Sequence, residues 1–565
     1  GDWSSDVCSS DLFMKGGYVV PNYETDRENF EKKGVPNNLF ERCFELPNPG
    51  LRAYFGHVVQ GQPDEYRTPF YKGKALSLVL QEWVKHLEPL TTQWPSLYDF
   101  EIDLAGKVGP MSIQFPLKDR MKDIDSYYDS VLPESEPLSE LAINAVKKEW
   151  LRVAGIRKRG LESTVASMKK STNSGSPYFT KRRSVTHKTI PCEVWQNGAL
   201  AWQQLKDATY NACATLGWRG QEGGPKPTDV KQRCVWMFPY AVNIQELQVY
   251  QPLIEAFQYH NLVPAWVGMD AVDIEVTRLF DTKKPSDLVI CTDFSKFDQH
   301  FNVNLQAAAE ELILFLFNGD RSVDGWLREV FPIKYQIPLA YDWGKVRTGK
   351  HGMGSGSGGT NADETLAHRC LQHEAALLQK KVLNPHSQCL GDDGILSYPG
   401  CSVDDVMRAY CSHGLEMNQD KQYASTQDCV YLRRWHHKDY RIGGICAGVY
   451  STCRALGRLA EQERYYDPEV WGPKMVALRQ LSILENVKYH PLKTEFVDFC
   501  MKGDKFRLGL DIPGFLDNIE REAQKAIDYM PDFLGYTKSI GLEGGRNPSK
   551  GISEWWIVQH LKSML

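Results

Sequence analysis

Several features that would place this 565-residue chain in a simple class are missing from its sequence. No Cys-x-x-Cys pair occurs among the 14 cysteines, which are scattered singly. This spacing fits a reducing compartment better than a disulfide framework. His368, Cys370 and His373 lie close together, but no complete four-ligand pattern accompanies them, so the sequence does not predict a zinc site there.

Long apolar runs and an excess of positive charge are also absent. No apolar run reaches the roughly 18 residues that a membrane span needs. The net charge of −5 excludes a uniformly basic protein, so any contact with nucleic acid must come from local basic patches. The sequence contains no internal repeat, no secretory signal, no Walker loop and no Gly-x-Gly-x-x-Gly motif that follows a strand.

The composition is that of a large globular protein, with 42% hydrophobic and 24% charged residues. The length predicts about three to four units, or one large enzyme with lobes. Residues 1–12 have neither a helical nor a strand period. We interpret them as non-native adapter sequence and exclude them from the fold, so that the native start is either Met14 or missing from this sequence.

Two adjacent carboxylates, Asp392 and Asp393, lie between Gly391 and Gly394 and between apolar flanks. Glycine tolerates positive φ, so this stretch predicts a tight hairpin that presents both acids at its tip. Asp-Asp-Gly is also ordinary turn chemistry, and the motif alone leaves a plain turn open.

A second acidic pair lies upstream. Residues 287–293 form a short apolar run that predicts a buried strand ending in Asp293, and Asp298 follows five residues later. The glycine-dense residues 350–361 then precede a predicted helix over 362–378. A glycine-rich loop that opens a helix is typical of a phosphate or sugar cradle, with a flexible linker as the alternative.

Two basic segments are candidates for nucleic-acid contact. The small-residue loop 172–178 is bordered by five cations, which suits close passage of a phosphate backbone, although a solvated loop is equally open. Lys231 and Arg233 are two residues apart, so in a strand they project from one face and can reach one triphosphate. A charged edge strand is the alternative.

Further helices are predicted over 74–87, 139–153, 303–317, 403–412, 475–487 and 515–529.

In their order, these motifs resemble motifs A, B and C of viral RNA-dependent RNA polymerases. Asp293-x4-Asp298 is similar to motif A, Ser355-Gly356-x3-Thr360 to motif B and Gly391-Asp392-Asp393 to motif C. The loop 172–178 resembles motif G, Lys231 with Arg233 motif F, Lys421 motif D and residues 432–434 motif E. The wording of motifs A and B is most like that of the picobirnavirus polymerases.

The resemblance implies an α+β right-hand fold with fingers, a palm built on an antiparallel sheet, and a helical thumb. The implied divisions are 13–137 for an N-terminal covering region or fingers, 138–286 for fingers, 287–302 for palm, 303–350 for returning fingers, 351–450 for palm, and 451–565 for thumb and tail. The tail from Gly541 could turn back towards the active site with Trp555 and Trp556, or form an ordinary helix on the thumb.

The resemblance also implies the roles of individual residues. The implied catalytic residues are Asp293, Asp392, Asp393 and Lys421, of which the three acids would hold two Mg²⁺ or Mn²⁺ ions. The implied NTP-binding residues are Lys231, Arg233, Asp298, Ser355, Gly356, Thr360 and Asn361. The implied RNA-binding residues are Ser174, Gly175, Ser176, Pro177, Lys181, Arg182 and Arg433. Many relatives have Asn four residues past the motif B Thr, where this chain has Glu364, so either Glu364 or Asn361 is expected to meet Asp298.

The implied function is RNA synthesis on an RNA template, for replication and transcription of a viral, double-stranded and segmented genome. The implied partners are template and product RNA, NTPs and a viral capsid protein, and the implied location is the host cytoplasm within the virion. A reverse transcriptase and an inactive RNA-binding scaffold are the alternatives. Asp298 argues against the first, which typically carries an aromatic residue there, and retention of Asp293, Asp392 and Lys421 argues against the second.

Overall fold

A computed structural model describes residues 35–467, 470–527, 529 and 551–565. The predicted non-native segment 1–12 and the start of the tail, 541–550, lie outside the described residues. Within the described ranges, helices surround several small sheets, and no helix there is long and apolar enough to cross a membrane.

Helices are the commonest elements of the described chain. They are α1 Leu39–Cys43, α2 Pro49–Gln60, α3 Leu76–Lys85, α4 Leu90–Gln93, α5 Pro95–Ala105, α6 Met121–Asp129, α7 Glu140–Glu149, α8 Leu161–Ala166, α9 Arg182–Thr189, α10 Tyr240–Tyr259, α11 Pro264–Val267, α12 Met269–Thr282, α13 Val303–Leu316, α14 Ser322–Glu329, α15 Ile333–Gln336, α16 Thr360–Leu378, α17 Val403–Cys411, α18 Thr452–Ala460, α19 Pro473–Glu485, α20 Lys493–Lys502, α21 Ile519–Ala526 and α22 Trp556–Lys562. Short 3₁₀ turns include Leu151–Val153, Gln419–Lys421, Leu516–Asn518 and Ile552–Glu554.

The strands are short. They are β1 Tyr66–Arg67, β2 Glu193–Asn197, β3 Leu200–Gln204, β4 Thr209–Ala212, β5 Ala214–Gln221, β6 Lys231–Met237, β7 Val289–Thr292, β8 Leu339–Asp342, β9 Lys345–Arg347, β10 Gln388–Leu390, β11 Asp393–Leu396, β12 Tyr423–Ser425, β13 Asp428–Tyr431, β14 Arg434–His437, β15 Arg441–Ile442, β16 Ile445–Cys446, β17 Val449–Tyr450 and β18 Glu461–Gln462.

The sheet that matters most for the site has the order β10-β11-β7-β12 and is antiparallel throughout. All four residues of β7 are buried, as expected for a central strand. Helix α16 is buried along most of its length and packs behind this sheet, where Gln372 Nε2 donates to the backbone oxygen of Gln388 at 2.9 Å. The sheet therefore has a fixed helical support.

A second apolar core unites the two ends of the described chain. Helices α3 and α5 pack against α18, and Trp83 Nε1 donates to Thr452 Oγ1 at 2.8 Å. Buried Glu101 accepts from the backbone N–H groups of Thr452 and Cys453 at 2.7 and 3.1 Å. Part of the region predicted as an N-terminal covering layer thus packs on the helices α18 to α22, which we call the C-terminal helical lobe.

The C-terminal residues 551–565 belong to the same core. Glu485 of α19 accepts from the backbone N–H groups of Trp556 and Ile557 at 3.1 and 3.0 Å, which satisfies the first turn of α22. Trp555 and Trp556 pack against this core. Of the two alternatives for the tail, these residues follow the second, an ordinary helix on the helical lobe.

The predicted elements are present with small changes at their ends. The predicted helices 303–317 and 362–378 are observed as α13 and α16, and the predicted strand 287–293 is observed as the shorter β7. The prediction over 515–529 was too long, because the chain forms a 3₁₀ turn before α21. The hairpin predicted at Gly391 and Asp392 is confirmed, with Leu390 paired to Asp393.

Candidate active site

The register of the central sheet brings three carboxylates to one edge. Strand β7 ends at Thr292, which pairs with Gly394 of β11, so Asp293 continues alongside Asp393. Gly391 and Asp392 form the two-residue turn between β10 and β11, and Gly391 takes the positive φ of 58° that this turn requires. Asp293, Asp392 and Asp393 therefore lie together, as the motif order predicts.

The charges of these acids influence one another. Partial desolvation and then the charge of Asp392 raise the pKa of Asp293, while Lys421 lowers it. Burial and then Asp392 raise the pKa of Asp393 to about 7. Carboxyl groups this close together make one another harder to ionise, so a bound cation that stabilises their ionised forms is favoured here.

Helix α16 fixes the turn that carries Asp392. The hydroxyl of Thr365 accepts from the backbone N–H of Gly391 at 2.9 Å, and Nδ1 of His368 lies 2.8 Å from the Gly391 oxygen. Burial lowers the pKa of His368 to about 4, which keeps the ring neutral. The sequence drew attention to His368 only as a weak zinc candidate, whereas the structure makes it a support of the acidic turn.

Asp393 is held by the neighbouring turn between β13 and β14. Its Oδ2 accepts from the backbone N–H of Leu432 at 2.8 Å, and both Leu432 and Arg433 have positive φ. Arg434 forms two hydrogen bonds to Asp273 of α12 at 2.8 and 2.9 Å. This turn therefore ties the acidic edge to α12 and leaves Arg433 exposed.

Asp298 meets Glu364 of α16, which settles the alternative left open by the sequence. Burial and then the charge of Asp298 raise the pKa of Glu364 well above its usual range. Glu364 therefore holds its proton and donates to Asp298. Burial raises the pKa of Asp298, and this hydrogen bond offsets only part of that rise. Asn361 instead accepts from Nε1 of Trp266 at 2.8 Å through its Oδ1. Glu364 was missing from the predicted NTP-binding residues.

Lys231 and Arg233 are both exposed and lie on one face of β6, as their spacing predicts. Nε of Arg233 donates to Gln221 of the paired strand β5 at 2.6 Å. Desolvation and then the positive charges of Lys107, Arg233 and Arg433 lower the pKa of Lys231. Cations from three separate segments thus face the acidic edge. No sequence pattern pointed to one of them, Lys107, which follows α5.

The glycine-rich loop before α16 is docked on β6 rather than free as a linker. The Ser355 hydroxyl accepts from the backbone N–H of Trp236 at 3.2 Å and donates to the oxygen of Cys234 at 3.3 Å. A Cβ on Gly356 would lie 1.6 Å from the Trp236 oxygen, so only glycine fits there. Thr360 donates to backbone oxygens of the same loop, including that of Ser355 at 3.2 Å. Ser355, Gly356 and Thr360 are thus anchored beside Arg233.

The loop predicted to contact RNA is more buried than its small polar residues suggest. The four residues Ser174, Gly175, Ser176 and Pro177 are buried. The Ser176 hydroxyl donates to the Cys43 oxygen and accepts from Gln203 Nε2, so it has protein partners. These side chains shape the loop, and their predicted contact with RNA stays a prediction.

The two basic residues after this loop that were predicted to bind RNA, Lys181 and Arg182, differ in burial. Buried Arg182 donates to the backbone oxygen of Lys169 at 2.9 Å and to Asn243 at 3.0 Å, so its guanidinium supports the fold. Lys181 is exposed. Among the residues of this segment that were predicted to bind RNA, Lys181 keeps a side chain that can reach a phosphate.

Comparison with known proteins identifies the family of this chain. The profile of the viral RNA-dependent RNA polymerase family matches residues 112–444. A human picobirnavirus protein named as a potential RNA-dependent RNA polymerase is 65% identical over 531 residues, 94% of this chain and 99% of that protein. The chain belongs to the viral RNA-dependent RNA polymerase family.

Solved structures agree with this assignment. The crystal structure of the RNA-dependent RNA polymerase of a human picobirnavirus matches with a TM-score of 0.90 and 63% identity, over 94% of this chain and all of that one. An insertion-loop deletion mutant of such a polymerase matches with a TM-score of 0.88 and 62% identity over the same shares. The predicted α+β right-hand fold and the predicted class of enzyme, an RNA-directed RNA polymerase, are confirmed. The domain boundaries within the polymerase remain predictions.

Proposed function

We propose that this polymerase joins nucleotides by two-metal nucleotidyl transfer, with Asp293 and Asp392 as the main metal-holding carboxylates and Asp393 beside them. The observation that carries the proposal is the β7–β11 register, which brings acids from two separate motifs to one edge. Family membership supports RNA and NTPs as substrates.

The donor set fits magnesium or manganese. Within the described ranges no three or more His, Cys, Asp or Glu side chains form a ready-made metal cage. Magnesium does not need one, because it commonly binds through one or two carboxylates together with substrate phosphates and water. When bound, two such ions would stabilise the attacking 3′-oxygen and the leaving pyrophosphate.

The protein's own groups bind and orient the substrates. Lys231 and Arg233 neutralise the triphosphate from their shared face of β6. Lys421, exposed on the turn before β12, donates a proton to the leaving pyrophosphate. The Asp298–Glu364 pair receives the ribose 2′-hydroxyl, while Ser355, Gly356, Thr360 and Asn361 hold the adjoining loop in place. Lys181 and Arg433 contact the RNA backbone.

The proposed biological setting rests on the resemblance to picobirnavirus polymerases. The similarity to picobirnavirus polymerases supports replication and transcription of a double-stranded, segmented RNA genome. Such a task would take place in the host cytoplasm within the virus particle, with a viral capsid protein as a further partner.

The proposal is tested with purified protein, a defined single-stranded RNA template and labelled nucleotides, with and without EDTA. We expect NTP incorporation that follows the template sequence and stops when EDTA removes the metal. Preferential use of dNTPs would favour a reverse transcriptase. RNA binding without incorporation would favour an inactive scaffold.

A further inference from the structure

The backbone of Asp293 lies where the central sheet stops being regular. Strand β12 pairs with β7 in the register Tyr423 to Cys291 and Ala424 to Ile290. Continued along the chain, this register would place Lys421 opposite Asp293. The chain instead forms the 3₁₀ turn Gln419–Lys421, so β12 supplies no strand backbone beside Asp293. Backbone N–H and C=O groups in such a position need other partners.

The side chain of Gln422 provides both partners. Its Oε1 accepts from the backbone N–H of Asp293 at 2.8 Å, and its Nε2 donates to the backbone oxygen of Asp293 at 2.8 Å. One side-chain amide therefore replaces the strand that the sheet lacks at this point. Among side chains, the primary amide of Gln or Asn combines one acceptor oxygen with a nitrogen that donates twice.

The second N–H of the same amide reaches the turn that carries Lys421. Nε2 of Gln422 also donates to the backbone oxygen of Asn418 at 2.9 Å. The Asn418 side chain in turn accepts from the backbone N–H of Asp420 at 3.0 Å and caps the turn. The amide orientation is thereby fixed, because a flipped amide would set its oxygen against two carbonyl oxygens.

We propose that Gln422 is a positioning residue for nucleotide transfer: it fixes the Asp293 backbone to the turn bearing Lys421, so that the metal-holding carboxylate and the proton-donating ammonium keep one relative placement. This inference rests on the proposed roles of Asp293 and Lys421. The geometry that matters is local, because the one side-chain amide of Gln422 bonds to the backbones of both Asp293 and Asn418.

Such a contact affects the reaction more than the fold. All three hydrogen bonds lie in solvent-accessible surroundings, where water can replace them when the side chain is removed. Placement of reacting groups is far more sensitive, because a displacement of about 1 Å can cost on the order of 100-fold in rate. Loss of the amide should therefore slow turnover in a protein that still folds.

The test compares Gln422→Ala and Gln422→Glu with wild type on whichever primed or unprimed RNA template the wild type extends. We expect Gln422→Ala to lower kcat at least about tenfold, to leave KM for NTP within about threefold, and to raise the Mg²⁺ concentration needed for half-maximal rate. Gln422→Glu keeps an acceptor for Asp293 N–H but sets an oxygen against two carbonyl oxygens, so it should be at least as slow.

The matched control is Gln427→Ala, an exposed glutamine nearby whose amide donates to Thr426 Oγ1 at 3.1 Å. It should retain wild-type kinetics. Wild-type kcat and Mg²⁺ dependence in Gln422→Ala would overturn the inference. So would a loss of rate that disappears when rates are divided by the fraction of folded, RNA-binding molecules. Asp392→Asn is measured alongside: if it is active, the metal assignment itself fails, whereas an inactive Asp392→Asn beside a fully active Gln422→Ala overturns only the role of Gln422.

Discussion

At the scale of single residues, the most informative contact joins two carboxyl groups, Asp298 and Glu364. A neutral carboxyl can donate a hydrogen bond, as the amide of an asparagine does, so Glu364 can orient Asp298. The orientation matters because Asp298 is the proposed acceptor for the ribose 2′-hydroxyl.

This arrangement predicts how the enzyme selects NTPs over dNTPs. Asp298→Ala should lower NTP use far more than dNTP use, because sites built on such a hydrogen bond can discriminate by roughly 10⁴–10⁵-fold. Glu364→Ala should narrow the preference as well, whereas Glu364→Gln keeps a donor towards Asp298 and should change it little. The measurement is kcat/KM for ATP and dATP opposite template U. If kcat/KM falls by the same factor for ATP and dATP in Asp298→Ala, Asp298 is a structural residue.

The sequence does contain a pattern that links Glu364 and His368 to the site, although this pattern is not part of the motifs themselves. Thr360, Glu364 and His368 follow one another at four-residue steps, so on α16 they share one face. That face meets the glycine-rich loop, Asp298 and the acidic turn in succession. The acids could be predicted from motif chemistry, but their supports depend on which helix face packs against the sheet.

At the scale of elements, most helices and the acidic hairpin could be predicted, because hydrophobic periodicity and turn glycines are local signals. The docking of the loop 350–359 on β6 could not, because it depends on contacts between residues more than 100 positions apart. Burial of the loop around Ser174 was missed for the same reason, since its polar groups are satisfied by distant segments such as Cys43.

The docking of this loop predicts the effect of a small substitution. Gly356→Ala should separate the loop from β6, because its Cβ would collide with the backbone oxygen of Trp236. We expect a loss of stability of about 1–3 kcal/mol and a marked fall in NTP incorporation. Gly160→Ala is the control, since a Cβ there meets no atom within 4 Å. Thermal melting and incorporation rates are compared, and equal behaviour of the two variants would contradict the docking.

At the scale of the whole molecule, the N-terminal region and the C-terminal helical lobe meet at the pairing of β1 with β18. Glu461 of β18 is buried there, 3.8 Å from Nε of Arg67. Burial and then a hydrogen bond with Glu65 raise the pKa of Glu461 to about 10. The junction therefore contains a carboxyl group that stays protonated near neutral pH.

This pKa predicts a pH-dependent stability. Because the folded-state pKa lies above the ordinary 4.5, the contribution of Glu461 to stability is complete below pH 4.5 and is lost as pH rises towards 10. Glu461→Gln cannot ionise, so its melting temperature relative to wild type should rise between pH 5 and pH 8. Melting curves of both proteins at these pH values provide the measurement. A constant difference would show that Glu461 does not titrate differently in the folded chain.

The central claim concerns Asp392, which the β10–β11 turn places beside Asp293 and Asp393. In the proposed mechanism its carboxylate holds the metals, whereas exposed cations on other segments contact the RNA. The most direct measurement is template-directed NTP incorporation by Asp392→Asn, together with its affinity for the same RNA. We expect polymerisation to be lost while RNA binding stays close to wild type, because removal of a metal ligand costs much of the several kcal/mol that a metal supplies. Incorporation within about tenfold of wild type would contradict the account.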